Sequence, residues 1–252
     1  MLEVALEAAK AAEEIIIGYF NQALIPERKK DNSLVTIADT EAESKIRSII
    51  KKNFPDHSII GEEYGENTNQ SDYQWIIDPI DGTTNFYLEV PLFATSIALY
   101  KNQEPLLAVI NFPAQKKIIT SEKDKGTFVN KQKIGVSNQG SLDLSLITYN
   151  FSSETVERKK AAEIFSKLVG KTRTSRIFGS CVTQGSLVAM GKVEALISSG
   201  ASKWDYAAIV IAIIESGGKV TDFFGDPWCI NSRSLLASNG RIHEDLLKVI
   251  NS

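Results

Sequence analysis

The sequence predicts a layered α+β fold in two lobes, and three observations carry that expectation. Two amphipathic helical segments precede any strong strand, a run of short β-branched and aromatic stretches follows, and helices and strands then alternate to the end. With 252 residues, 43% of them hydrophobic, the chain can bury a substantial core. The lobes are expected to meet near residue 140, giving an N-terminal α+β lobe over 1–140 and a C-terminal α/β lobe over 141–252.

Leu2, Leu6, Ala9, Ala12, Ile16, Tyr19 and Phe20 recur at spacings of three and four, which marks a helix ending before Pro26. The polar stretch 27–33 (ERKKDNS) reads as a loop. A second helix over 39–53 buries Ala42, Ile46, Ile49 and Ile50 before Pro55 stops it. Six strands follow, at 58–60, 75–77, 94–100, 106–112, 117–121 and 127–129. Asn102 with Gln103, and Asn130 with Lys131, look like hairpin tips, so this sheet is largely antiparallel. Next come a helix over 154–168, a strand over 174–178, a helix opening after Gly179 and Ser180, and a strand over 193–197. A strongly apolar helix over 204–215 is capped by Gly217 and Gly218. Strands near Val220 and Leu236 and a helix over 243–250 close the chain.

Composition narrows the function. The balance of 31 acidic against 28 basic side chains, without a long basic block, argues against a dedicated nucleic-acid or anionic-membrane binder. His57 and His243 are too few for a multi-histidine zinc centre, and Cys181 and Cys229 form no CxxC pair. Charged residues at 3, 7, 10, 13 and 14 interrupt the first segment, so it is neither a signal peptide nor a membrane span. The apolar run from Ala207 to Ile214 is far short of the roughly 20 residues that cross a bilayer. A soluble protein of the reducing cytoplasm is expected, with any chemistry carried by carboxylates and hydroxyls.

The most informative segment is WIIDPIDGTTNF, from Trp75 to Phe86. An apolar strand delivers Asp78, and Pro79 removes a ladder donor, freeing the Ile80 carbonyl beside Asp81. Gly82, Thr83 and Thr84 follow, where a helix can begin and direct N–H groups at an anion. By itself the segment supports two readings equally: a site for a metal-bound phosphate, or an Asp-Pro turn running into a helix cap. Glu62 and Glu63 after Gly61 could face a hard cation or simply be solvated. Asp205 after Trp204, and Asp39 three residues after Thr36, each read at least as readily as helix-capping carboxylates.

Combination and order shift that balance. GEE, then WIIDPIDGTTNF, then WD heading an apolar helix that ends in ESGG, resembles the inositol monophosphatase family of magnesium-dependent, lithium-sensitive phosphatases, part of a wider group with fructose-1,6-bisphosphatase. The resemblance runs from LVTIAD at 34–39 through GTFVN at 126–130 to GGKVTD at 217–222. It implies an α-β-α-β-α sandwich. It also implies one Mg²⁺ held by Glu62, Asp78 and the Ile80 carbonyl, a second by Asp78, Asp81 and Asp205, and a third, weaker ion near Glu62. Oxygen-only ligands suit Mg²⁺. Thr83, with Asp39 behind it and Glu62 beside it, would position and deprotonate the attacking water, while Gly82 and Thr83 N–H groups hold the phosphate. The implied substrate contacts are Ile80, Asp81, Gly82, Thr83, Ser180, Cys181, Ser198 and Asp205.

The match is imperfect around the leaving group. Inositol phosphatases usually carry a Glu seven residues before the Asp of the WD pair, where this chain has Ser198, and the SSGASK stretch adds Lys203. Leu88 and Glu89 stand where a His pair is common, and Cys181 reads more readily as a packing thiol. The expectation is a Mg²⁺-dependent phosphomonoesterase for a small polyol or sugar phosphate, of the inositol 1-phosphate type. The alternatives are a fructose-1,6-bisphosphatase, histidinol phosphatase or 3′,5′-bisphosphate nucleotidase specificity, or a non-catalytic interaction protein keeping the fold. A homodimer is expected from the resemblance alone.

Overall fold

A computed structural model describes residues 1–29, 33–67, 69 and 71–252. Helix α1 spans Leu2–Tyr19 and α2 spans Ile37–Asn53; between them β1 (Glu27–Arg28) pairs antiparallel with β2 (Leu34–Val35). The stretch expected to be a loop therefore starts as a short hairpin, and its residues 30–32 lie outside the described residues. The first large sheet contains β3 (Ser58–Gly61), β4 (Gly65–Asn67), β5 (Tyr73–Asp81), β6 (Ala94–Lys101), β7 (Glu104–Phe112), β8 (Lys117–Glu122), β9 (Gly126–Val129) and β10 (Gln132–Lys133). Its order is β10-β9-β8-β7-β6-β5-β3-β4, antiparallel throughout except β3 with β5. Short α3 (Thr83–Tyr87) follows β5. Both hairpin tips are as expected, with Asn102, Gln103, Asn130 and Lys131 all at positive φ.

The second sheet contains β11 (Leu146–Phe151), β12 (Thr174–Arg176), β13 (Ala195–Ser199), β14 (Lys219–Thr221) and β15 (Ser234–Ser238), in the order β12-β11-β13-β15-β14. Parallel pairs join β11 to β12 and β13, and antiparallel pairs join β15 to β13 and β14. Strand β11 was not expected from the sequence. The remaining helices are α4 (Thr155–Leu168), α5 (Cys181–Ala189), α6 (Lys203–Glu215) and α7 (His243–Ile250).

Side-chain alternation along the strands fixes the layers. Trp75, Ile77, Ile97, Leu99, Leu107 and Val109 pack with α1 and α2, while their neighbours Ile76, Ala98, Ala108 and Ile110 pack with α5 and α6. In the second sheet Leu196, Leu235 and Ala237 face α5 and α6, and Ile147, Tyr149, Ile197 and Leu236 face α4 and α7. The result is the α-β-α-β-α sandwich. Its middle layer explains why α6 is apolar on every side: every residue from Tyr206 to Ile213 is buried between two sheets. Each Ile or Val so buried contributes roughly 1.5–3 kcal/mol, and the Tyr100 hydroxyl ties the layers by donating to the Ala207 carbonyl at 3.0 Å. Among the described residues, no helix is long and apolar enough to cross a membrane.

Candidate functional site

The site begins where β5 leaves its ladder. Pairing with β6 is regular to Asp78 opposite Ser96 and shifts register before Asp81 meets Ala94, because Pro79 offers no donor. The strand runs past the expected 75–77 because it rejoins β6 on the far side of that irregularity. Thr95 donates to the Pro79 carbonyl at 2.9 Å. Gly82 then turns the chain into α3 at φ 87°, where a Cβ would meet Ser180 Cβ at 3.0 Å and the Leu92 carbonyl at 3.1 Å. Only glycine fits that corner. Thr83 Oγ1 lies 3.1 Å from both the Ile80 carbonyl and Asp39 Oδ1. One hydroxyl hydrogen serves one of these acceptors at a time.

Carboxylate oxygens of Asp78, Asp81 and Asp205 lie within 4.8 Å of one another, and each is supported differently. Asp81 accepts from Cys181 N at 3.2 Å and Val182 N at 3.0 Å, and from the Ser180 hydroxyl, so it caps the start of α5. Asp205 accepts from Ser202 N at 2.6 Å in a capping box at the start of α6. Asp39 has the same arrangement in α2, where Oδ2 accepts from Thr36 N and Oγ1 at 2.8 and 2.6 Å while Oδ1 remains for Thr83. Capping, weighed in the sequence against a role in the site, is what Asp39 and Asp205 do in the fold, and it leaves Asp39 Oδ1 on Thr83 and Asp205 within the carboxylate cluster. Asp78 differs: it is buried, and neither oxygen has a hydrogen-bond partner.

That arrangement is unfavourable without a cation. Burial, then repulsion from Glu62, Asp81 and Asp205, pushes Asp78 well above the usual carboxylate range. Burial raises Asp205 likewise, with Asp81 and Glu62 adding to it. Burial lifts Asp81 to about 6 against the opposing hydrogen bonds from α5, and Asp39 to about 6 against those from Thr36. A buried carboxylate with two orphaned oxygens, beside two more carboxylates, is an all-oxygen donor set fitted to a hard divalent ion. Asp78, Asp81 and Asp205 are the residues brought close enough to hold one, and Glu62 and Ile80 line the same cleft outside that cluster.

Glu62 sits on the turn after β3, its N–H bonded to the Ile77 carbonyl at 3.3 Å. Two supports of this turn were missed in the sequence. Glu43 of α2 is fully buried, accepts from Glu63 N at 2.7 Å and Tyr64 N at 3.3 Å, and pairs with Arg47 at 2.6 Å. Its carboxylate lies so close to Gly61 that a Cβ there would come within 2.0 Å. Lys29 reaches from beyond β1 to Glu62 Oε1 at 2.8 Å and Glu63 Oε1 at 2.7 Å. Burial alone would lower the Lys29 ammonium, but its two carboxylate partners outweigh that and raise it.

These groups open on a cleft of about 330 Å³ lined by Glu62, Asp78, Ile80, Asp81, Gly82, Thr83, Ser180, Cys181 and Asp205, with Asp39 buried behind Thr83. Ser198 is a correction. It is completely buried in β13, bonded to the Tyr206 hydroxyl at 2.8 Å and Asn150 Nδ2 at 3.2 Å, and does not line the cleft. The wall there is formed by Asn150, Phe151 and Ser152 at the end of unforeseen β11, opposite Ala201 and Trp204. Cys181 does reach the cleft lining although it is 2% exposed, and burial raises its thiol.

The family profile described as "Inositol monophosphatase family" matches residues 1–252. A Thermotoga maritima protein named fructose-1,6-bisphosphatase/inositol-1-monophosphatase is 36% identical over 222 residues, covering 86% of this chain and 82% of that one. The Nus factor SuhB of Salmonella typhimurium is 32% identical over 254 residues, covering 98% of this chain and 94% of the relative. Among solved structures, an inositol monophosphatase from Anabaena superposes with a TM-score of 0.89 at 35% identity, covering 99% of this chain and 94% of that one.

Proposed function

The chain belongs to the inositol monophosphatase family, and on that premise we propose that it is a Mg²⁺-dependent phosphomonoesterase for a small polyol or sugar phosphate of the inositol 1-phosphate type. The observation that carries this reading is the buried cluster of Asp78, Asp81 and Asp205, with both Asp78 oxygens unpartnered, on the wall of a polar cleft. Bound there, Mg²⁺ would supply an acidified water and charge neutralisation for the phosphate and the departing alkoxide. The protein's part is positioning and proton transfer. Thr83, already directed at Asp39, would accept the water's proton and pass its own to Asp39, whose raised affinity of about 6 suits a proton acceptor near neutrality. Glu62 would orient the same water. The first N–H groups after the Gly82 corner lack helical acceptors and would hold the phosphate.

Selection of the alcohol falls to the outer wall. With Ser198 buried, Asn150 and Ser152 are among the polar lining groups that would meet ring hydroxyls, alongside Glu154 and Ser202. A lithium-sensitive, homodimeric, cytoplasmic protein completes the proposal. Purified protein with Mg²⁺ should release phosphate from inositol 1-phosphate within a panel that adds fructose 1,6-bisphosphate, histidinol phosphate and adenosine 3′,5′-bisphosphate. Absence of turnover on all four with Mg²⁺ or Mn²⁺ would sink the catalytic reading. It would favour an interaction protein, the second reading, supported by the Salmonella relative's name as a Nus factor.

A further inference from the structure

Six carboxylates lie close enough to act on one another at and behind the inner end of the cleft: Asp39, Glu62, Glu63, Asp78, Asp81 and Asp205; a further lining carboxylate, Glu154, is paired with Arg233. Among the described residues, Lys29 is the one cationic side chain in ion-pair contact with any of the six. Its position is built by the hairpin, since Lys29 N donates to the Ser33 carbonyl at 2.9 Å, and Ser33 and Leu34 of the returning arm line the cleft. The ammonium bridges two different carboxylates, at 2.8 Å to Glu62 and 2.7 Å to Glu63, with all three side chains largely buried. Of the two, Glu62 lines the cleft and is a ligand in the metal reading, whereas Glu63 does not line it.

We propose that Lys29 is a tethered counter-cation that competes with the divalent ion for Glu62 and hands that carboxylate over while keeping its grip on Glu63. An ammonium has three N–H donors, so releasing Glu62 leaves the Glu63 bond intact and requires no movement of the hairpin. The device has two effects. It partly neutralises the acidic cleft before an ion enters, and it weakens the Glu62-dependent ion relative to the one held by Asp78, Asp81 and Asp205, so that Glu62 is the last ligand engaged. Lys29 is thus a positioning residue that sets metal affinity, not a catalytic one.

The inference rests on the metal reading above, and Mg²⁺ binding measured by calorimetry without substrate separates the two. Lys29→Met should tighten the weaker Mg²⁺ site by about two- to five-fold, the range expected for loss of one competing ion pair. Glu63→Gln should do the reverse, because the ammonium then has only Glu62. Adding Lys29→Met to Glu62→Gln should change Mg²⁺ binding by less than Lys29→Met does alone, because only the general neutralisation of the cleft is then lost. Lys29→Gln repeats the charge removal with a polar side chain, and thermal melts of each variant check that it folds. Mg²⁺ binding that is equal in, or weaker than, wild type in both Lys29 variants would overturn the inference and leave the metal reading standing. No Mg²⁺ binding by wild type or variants would overturn both.

Discussion

Asp78 and Asp81 sit three residues apart on one strand in opposite surroundings. Asp81 is held by two N–H groups and a hydroxyl at the start of α5, so it has structural work whether or not an ion is present. Among the described residues, Asp78 has no hydrogen-bond partner. The two Asn substitutions should therefore look alike in activity and differ in stability. Both Asp78→Asn and Asp81→Asn should reduce phosphate release to background. In metal-free buffer at about pH 8, Asp78→Asn should stabilise the fold, on the order of 1 kcal/mol, because the native carboxyl must either carry an unpaired buried charge or hold a proton that the unfolded chain has released. Asp81→Asn should destabilise it by about 1–2 kcal/mol, since an amide nitrogen would face donors. Thermal melts of the two variants check the sign, and a shift in the same direction for both would show that Asp78 is satisfied in the apo protein. Legibility at this scale followed locality. The aspartates lie in a continuous motif, whereas Lys29 and Glu43 act across 33 and 20 residues of sequence and leave no local pattern.

Helices α2 and α6 begin alike, each with a hydroxyl N-cap and an Asp three residues on that closes a capping box, Asp205 lining the cleft and Asp39 buried behind Thr83. Helix starts are thus where Asp39 and Asp205 are held in place. Helix α7 shows the contrasting, purely structural use. His243 is completely buried at its first position, bridging Thr221 Oγ1 at 2.9 Å and Ser238 Oγ at 2.8 Å, and burial, aided by Lys219, lowers it to about 4. The unfolded chain takes up this proton near the ordinary value of 6.5, before the folded chain does. Its contribution to stability is therefore complete above 6.5 and lost as pH falls through about 4. Subtracting the melting profile of His243→Gln from that of wild type should reveal a one-proton dependence confined to that window; a flat difference would show that the imidazole already protonates in the fold. Elements with strong periodicity or end signals, such as α1, α6 and the hairpins, were readable in advance. Strand β11 was not, because LITYNF is a central strand covered on both faces and has no glycine or proline at its ends.

At the scale of the whole molecule, the order of elements separates the strands of the first large sheet from those of the second, but the way the two sheets share a core could not be read from it. Helix α6 belongs to the C-terminal half of the sequence and packs against five strands of the first sheet as well as two of the second, a partnership that its uniform apolarity signals without naming. The carboxylate cluster spans the same junction, with Asp78 and Asp81 from the first sheet and Asp205 from the central helix. A cation bound there would cross-link two layers and relieve repulsion between them in the same step. Binding to the folded state alone stabilises by about 2.7 kcal/mol at one hundred times the dissociation constant. For a chain of this size each kcal/mol moves the melting temperature by roughly 2–4 °C. Saturating Mg²⁺ should therefore raise the melting temperature over that in EDTA by about 5–10 °C, and the whole molecule should melt in one transition, because the ligands belong to both layers. Asp205→Asn should lose most of the increment while keeping the single transition. A melting temperature indifferent to Mg²⁺ would mean that the cluster holds no ion, and a metal-dependent transition separate from the main one would mean that the layers it joins do not unfold together.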